Sequence, residues 1–166
     1  MKTKAFAGAL RLLVRREHGT HELVNKLLKK GYPAPEIHEA IAECQRLGLQ
    51  SDQRFVENVT RARIRQGYGP IRIRQELQAL QIDRELVDHT LSQEQENWLG
   101  YAIEVWKKKY KDRSEPSFSA IQKQKQFLLY RGFSTDTISM LFNELNTNKE
   151  KGIALQDWSL TDIESN

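Results

Sequence analysis

Apolar side chains recur along this chain every three or four residues, and glycine, proline or short polar stretches interrupt the runs, which predicts helices and no strands. Phe6, Ala9, Leu10 and Leu13 mark a first helix from about Thr3 to Arg16, and Gly19 breaks it. Thr20 is the expected cap of a second, carrying Leu23, Leu27 and Leu28 down to Gly31. Pro35 opens a third that ends near Leu47 and Gly48, with the stripe Ile37, Ile41, Cys44, Leu47. Ser51 or Asp52 caps a fourth, with Phe55, Val59 and Ala62 on one side and Arg54, Arg61 and Arg65 on another. A fifth starts at Pro70 and buries Ile73, Leu77 and Leu80, leaving Arg72 and Arg74 off that stripe. A sixth spans about Asp83 to Ser92, and a seventh runs from about Gln93 to Lys109 with Trp98, Ala102 and Val105 on one face. Beyond a polar link from Lys111 to Pro116, an eighth covers Ser117 to Arg131, Gly132 ends it, and a ninth covers Thr135 to Leu145.

The nine segments come in threes. Setting residues 27 to 41 above 77 to 91 above 128 to 142, without a gap, aligns Leu27 with Leu77 and Leu128, and Tyr32 with Ile82 and Phe133. Ile37, Val87 and Ile138 form a third apolar column, and Ile41, Leu91 and Phe142 a fourth. Gly31 and Gly132 mark the same helix end. A period of about 50 residues implies three-helix units with shared buried faces. The expectation is an all-α chain of three tandem three-helix repeats, about nine helices, stacked as a short, elongated, curved solenoid. Repeat 1 is placed at 1–50, repeat 2 at 51–92, repeat 3 at 93–146, and a polar tail at 147–166.

The sharpest local signal is Gly67-Tyr68-Gly69-Pro70. Gly67 can take the left-handed conformation that ends a helix, Gly69 frees the next backbone position, and Pro70 suits the first turn of the helix that follows. With Asp52, Arg54 and Phe55 before it and Ile73, Glu76 and Leu77 after it, this corner resembles the signature of the bacterial RecX regulatory family, and the resemblance covers roughly residues 5 to 146. It implies an all-helical, non-catalytic protein that binds the RecA recombinase as a filament on single-stranded DNA and inhibits its recombination, ATPase and coprotease activities. On that reading Arg61, Arg65, Arg72 and Arg74 pair with acidic groups or phosphates, and Tyr68 is an exposed aromatic contact at the corner. Arg63 and Lys107, Lys108 and Lys109 are further candidates. The partners implied are the recombinase filament and single-stranded DNA within the complex; no cofactor, no membrane and a monomeric chain are expected. Family members usually carry Gly where this chain has Gln81, and the tail after Asn146 is longer than the pattern needs.

Charge changes the picture by following the repeat. Residues 1–30 carry eight basic and two acidic side chains and residues 31–50 one and three; residues 51–80 carry six and three and residues 81–100 one and five. Residues 101–131 carry eight and three, and residues 132–146 none and two. First and second helices are basic and third helices acidic. This patterning either solvates and neutralises neighbouring helices or presents a basic face to a polyanion while an acidic face fixes orientation. The overall balance, +4, permits an anionic partner without demanding one. Lys107 to Lys109, with Tyr110, Lys111 and Arg113, read equally as a backbone-binding patch or as the solvated end of a helix, where lysines suit the negative pole of the dipole.

Remaining chemistry is sparse. The glycines of the corner follow no strand and no Gly-Lys-Ser/Thr, so they do not read as a phosphate loop. His18 and His21 flank a helix break and His38 and His89 lie far away, which argues against a metal site. No carboxylate is set among apolar residues as an acid or base would be. Cys44, the only cysteine, falls on an apolar stripe and reads as a buried small side chain. No apolar run could span a bilayer and the first residues are too often charged for a signal peptide, so a cytoplasmic location is expected. A stand-alone single-strand nucleic-acid binding module is the alternative reading, and a helical adaptor for another partner is a third. In the tail, Ile153, Leu155, Trp158, Leu160 and Ile163 are scattered through polar sequence, suiting either packing on the last repeat or a mobile anchor.

Overall fold

The computed structural model describes residues 2–111, 116–150 and 152. Arg113 and the tail positions from Ile153 to Ile163, Trp158 among them, lie outside the described residues. Among those described there are nine α-helices and no strand: α1 (Lys4–Leu13), α2 (Thr20–Lys29), α3 (Ala34–Arg46), α4 (Asp52–Arg65), α5 (Pro70–Ala79), α6 (Arg84–Ser92), α7 (Trp98–Tyr110), α8 (Phe118–Tyr130) and α9 (Thr135–Glu150). A 3-10 turn at Gln95–Asn97 precedes α7, so the helix expected from Gln93 begins at Trp98 instead. The last helix runs past Leu145 to Glu150, with Asn148 buried on it.

The four sequence columns are core columns. Leu27, Leu77 and Leu128 are wholly buried, Ile37, Val87 and Ile138 nearly so, and Ile41, Leu91 and Phe142 less than a tenth exposed. Ile82 and Phe133 are buried too, while Tyr32 is half-buried and contacts the apolar cluster of the first three helices. The helix ends between these columns share one hydrogen-bond scheme. Tyr32 N–H donates to the Leu27 carbonyl at 3.3 Å, Ile82 to Leu77 at 3.2 Å, and Phe133 to Leu128 at 3.2 Å. These bonds from the third residue after the helix back to its third-last residue define a Schellman cap, which requires a left-handed residue in between. Gly31 (φ 88°) and Gly132 (φ 97°) supply it in two copies, and Gln81 (φ 58°) adopts the same conformation in the third. Gln81 is the only non-glycine with positive φ among the described residues.

The chain divides into two compact units. One comprises residues up to Ala62 with Arg74–Leu91, and the other Arg63–Ile73 with the described residues from Ser92 onward. In the first unit α1, α2 and α3 pack on one another around Phe6, Ala9, Leu23, Leu27, Ile37, Ile41 and Cys44. Cys44 is fully buried, and burial pushes its thiol above the ordinary range. The cap of α2 differs from expectation: the capping position is Gly19, with Ile82 and Phe55 crowding the space a Cβ would take, and Thr20 is the first helical residue. Asp52 supplies the missing acceptor from α4, its Oδ1 receiving Thr20 N–H at 2.8 Å and Thr20 Oγ1 at 3.1 Å. Gln50 Nε2 donates to the same oxygen at 2.9 Å and to the His18 carbonyl at 3.1 Å. The cap of α4 itself is Ser51, whose Oγ accepts from Arg54 N–H at 3.2 Å. The buried side of α4 is Phe55, Val56 and Thr60 rather than Phe55, Val59 and Ala62, the latter two being half-buried.

In the second unit α7, α8 and α9 pack on one another, with Trp98, Ala102, Ile103, Trp106 and Tyr110 as the inner face of α7. Val105, expected inside, is half-buried. Trp106 Nε1–H donates to Gln124 Oε1 at 2.9 Å, so the two buried polar groups satisfy each other. The Gly-Tyr-Gly-Pro corner docks onto the turn between α8 and α9. Gly69 N–H donates to the Arg131 carbonyl at 2.8 Å and Ile71 N–H to the Gly132 carbonyl at 3.0 Å. A Cβ on Gly69 would stand 2.5 Å from the Gly132 carbonyl carbon and oxygen. Gly69 has no positive φ, so its role is close backbone approach rather than the conformational freedom expected of it. Gly67 (φ 87°) ends α4 as anticipated.

Candidate functional site

Within the second unit the end of α4, the C-terminal half of α7 and the end of α8 enclose a cleft of about 750 Å³. Ile64, Arg65, Gln66 and Gly67 form one wall, α7 contributes Tyr101, Glu104, Val105, Lys107 and Lys108, and Phe127 and Arg131 close it from α8. Lys109 and Lys111 also line it. Among the described residues, six cationic side chains and one carboxylate, Glu104, line this space. The lysines stand in the last turn of α7, where the unsatisfied carbonyls favour cations, so the helix can hold them close together at small cost. Such a surface raises the local concentration of anions and takes up phosphate or carboxylate groups. The Tyr101 hydroxyl donates to Glu94 Oε2 at 2.7 Å; that hydrogen bond, helped by burial, pushes its ionisation up to about 12 and keeps it a neutral donor at the cleft wall.

A row of cations and rings runs out of the cleft. Lys109 Nζ lies 3.9 Å from the centre of the Phe127 ring, and the Arg131 guanidinium lies 5.3 Å from Phe127 and 4.9 Å from Tyr68. Arg72 lies 4.2 Å from Tyr68 and 5.4 Å from Tyr130. Arg131 Nη1 also donates to the Gln66 carbonyl at 3.1 Å, which fixes its plane beside the corner. Cation–ring contacts at such distances contribute roughly 0.5–1 kcal/mol each where solvent has access.

The sequence-derived candidates are thus sorted. Arg65, Lys107, Lys108 and Lys109 meet in the cleft, Gly67 is part of its wall, and Tyr68 and Arg72 stand in the adjoining row. Tyr68 is half-buried under guanidinium groups rather than fully exposed. Arg63, in the same unit, donates to Gln66 Oε1 at 3.1 Å and does not line the cleft. Arg61 and Arg74 belong to the other unit. There Arg61 donates to Asn58, and Arg74 is paired with Asp88 at 3.0 Å. Arg131, Phe127 and Tyr130 escaped the sequence reading. The available signal was their position at the end of α8 beside Gly132, where an aromatic and a guanidinium precede a turn that another segment must approach. A second depression, of about 580 Å³ near Lys2, Phe6, Glu39, Glu43 and Arg46, carries balanced charge. Among the described residues no three His, Cys, Asp or Glu side chains are grouped to hold a metal, and no helix is long and apolar enough to cross a membrane.

Residues 5–44, 51–91 and 99–142 match the first, second and third three-helix domains of RecX respectively. A protein named regulatory protein RecX from Legionella pneumophila is 53% identical over 146 residues, covering 88% of this chain and 97% of the relative. One of the same name from Pseudomonas entomophila is 38% identical over 81% of this chain and 87% of its own length. The crystal structure of RecX from Lactobacillus salivarius superposes with a TM-score of 0.78 at 25% identity, covering 87% of this chain and 96% of that one. The three-helix repeat, the corner with its docking turn and relatives matched over nearly their whole length lead to one conclusion: the chain belongs to the RecX family of regulatory proteins.

Proposed function

We propose that this protein is a non-catalytic regulator that binds the RecA recombinase filament on single-stranded DNA and inhibits its recombination, ATPase and coprotease activities. Membership of a family of regulatory proteins supports the class of function. The observation that carries the reading to a site is the cleft lined by Arg65, Lys107, Lys108, Lys109, Lys111 and Arg131 with Glu104 as the one carboxylate among the described lining residues, because a filament on DNA offers phosphates and acidic side chains in repeating array. The test is the ATPase rate of a filament preassembled on single-stranded DNA, titrated with this protein well below one copy per recombinase subunit. A large fall at those substoichiometric ratios is expected. No fall at any ratio would end the proposal.

The second reading is a stand-alone single-strand nucleic-acid binding module, which the same cationic cleft favours. It expects inhibition only when the protein is abundant enough to cover the DNA, with log affinity falling against log salt by about 0.7 per phosphate engaged.

A further inference from the structure

We infer that the second unit carries a two-part site for single-stranded DNA: the lysine-lined cleft takes the sugar-phosphate backbone, and the row Arg131, Tyr68, Arg72, Tyr130 beside it takes bases by stacking. This rests on the filament-facing reading above and names what the site touches within the filament. Phosphates are indicated by the excess of cations over carboxylates among the described residues that line the cleft. An acidic protein segment would satisfy that excess equally, and the neighbouring row separates the two. Tyr130 is 75% exposed, with Arg72 on its ring and no packing role that such exposure could serve, while Ile71 and Leu129 close by are also exposed. The exposed Tyr130 ring, with the half-buried Tyr68 and its two guanidinium groups beside it, offers a π-face to unpaired bases, whereas an acidic peptide has nothing to stack on it. Duplex DNA keeps its bases stacked on one another, so the match is to a single strand. Arg131 belongs to both parts: it lines the cleft, lies over Tyr68 and Phe127, and is anchored to the Gln66 carbonyl, so backbone and base contacts are held in one register.

The test measures fluorescence anisotropy of a labelled oligothymidylate and of an abasic oligomer of the same length with the full chain, without recombinase. The wild type is expected to bind the base-bearing strand more tightly. Tyr130→Ala should weaken that strand by at least about fivefold, the lower end of one lost base stack, and leave the abasic strand unchanged, while Tyr130→Phe keeps both. Lys108→Glu with Lys111→Glu should weaken both strands and flatten the salt dependence. Circular dichroism checks that each variant remains helical, and the exposure of these side chains makes that the expected result. Unchanged oligothymidylate affinity in Tyr130→Ala, or polyglutamate competing as well as the oligonucleotide, would overturn the inference, the latter in favour of an acidic protein surface. A wild type that slows filament ATPase without binding the oligonucleotide would remove the inference alone. Tyr130-dependent oligonucleotide binding without any effect on the filament would remove the proposed regulation alone.

Discussion

Gln81 holds a conformation that costs an L-residue roughly 1–2 kcal/mol, at a helix end where the two equivalent positions of this chain are glycines. Relief of that strain exceeds the extra chain entropy a glycine loses on folding, so Gln81→Gly is expected to stabilise the protein by about 0.5–1 kcal/mol, read from the midpoint of urea unfolding. Gly69 presents the opposite case. Its Cβ would collide with backbone that is itself hydrogen-bonded, so Gly69→Ala should cost about 3 kcal/mol, whereas Gly48→Ala, with open space around it and only its positive φ (71°) to strain, should cost about 1. Equal losses would mean that close approach is not what Gly69 provides. His18 is 2% exposed, and its Nδ1 faces the Arg16 carbonyl at 3.0 Å, which makes Nδ1 the protonated nitrogen and leaves Nε2 to accept from Lys26 Nζ at 3.1 Å. Burial, with the charges of Arg16 and Lys26 and against the Arg16 carbonyl and Glu22, lowers its ionisation below the ordinary 6.5. The unfolded chain therefore takes up the proton more readily than the folded one. Stability is full above pH 6.5 and declines as pH falls through that value towards the lower folded one. The thermal midpoint should drop more between about pH 7.5 and about pH 5.5 in the wild type than in His18→Gln.

At the scale of elements, helices here are capped by their neighbours as much as by themselves. Asp52 stands in the first turn of α4, yet its carboxylate receives the first amide of α2 together with Thr20 Oγ1 and Gln50 Nε2. Asp52→Ala removes all three bonds and leaves donors with no replacement, so a loss of about 2 kcal/mol is expected, with Asp52→Asn losing less because its amide oxygen still accepts. Replacing Ser117, which caps α8 locally through the Ala120 amide, should cost only about 1 kcal/mol. The corner between α4 and α5 follows the same logic, since its free amides at Gly69 and Ile71 are satisfied by the carbonyls of Arg131 and Gly132. The resemblance motif thus encodes a docking device: glycine is needed where two backbones meet, and proline starts the helix that leaves the junction.

For the whole molecule the functional consequence is electrostatic. Arg65 and Lys108 are exposed in the cleft, so Arg65→Glu with Lys108→Glu should leave helix content unchanged, cost under about 1 kcal/mol in stability and, under the proposed function, raise by tenfold or more the concentration needed to slow the recombinase filament. Reversal of Arg74, already paired with Asp88 in the other unit, should have a smaller effect on inhibition. Similar losses for both variants would mean that total charge rather than the cleft governs binding.

Periodicity by itself determined the all-helical class and the 50-residue repeat, because burial of one stripe per helix and a left-handed residue at each helix end are local demands that every copy must meet. Gly31, Gly67 and Gly132 were legible for that reason, and so were the columns headed by Leu27, Tyr32, Ile37 and Ile41. The charge swing was legible as well, but its destination was not. Only the tertiary structure decided that Arg65 and the lysines of α7 share a cleft while Arg61 and Arg74 belong elsewhere, that Arg131, Phe127 and Tyr130 stand beside Tyr68, and that Gly69 exists for a backbone contact with Gly132. Those pairings join positions more than 40 residues apart, and a side chain's helical stripe says which way it faces without saying what it meets.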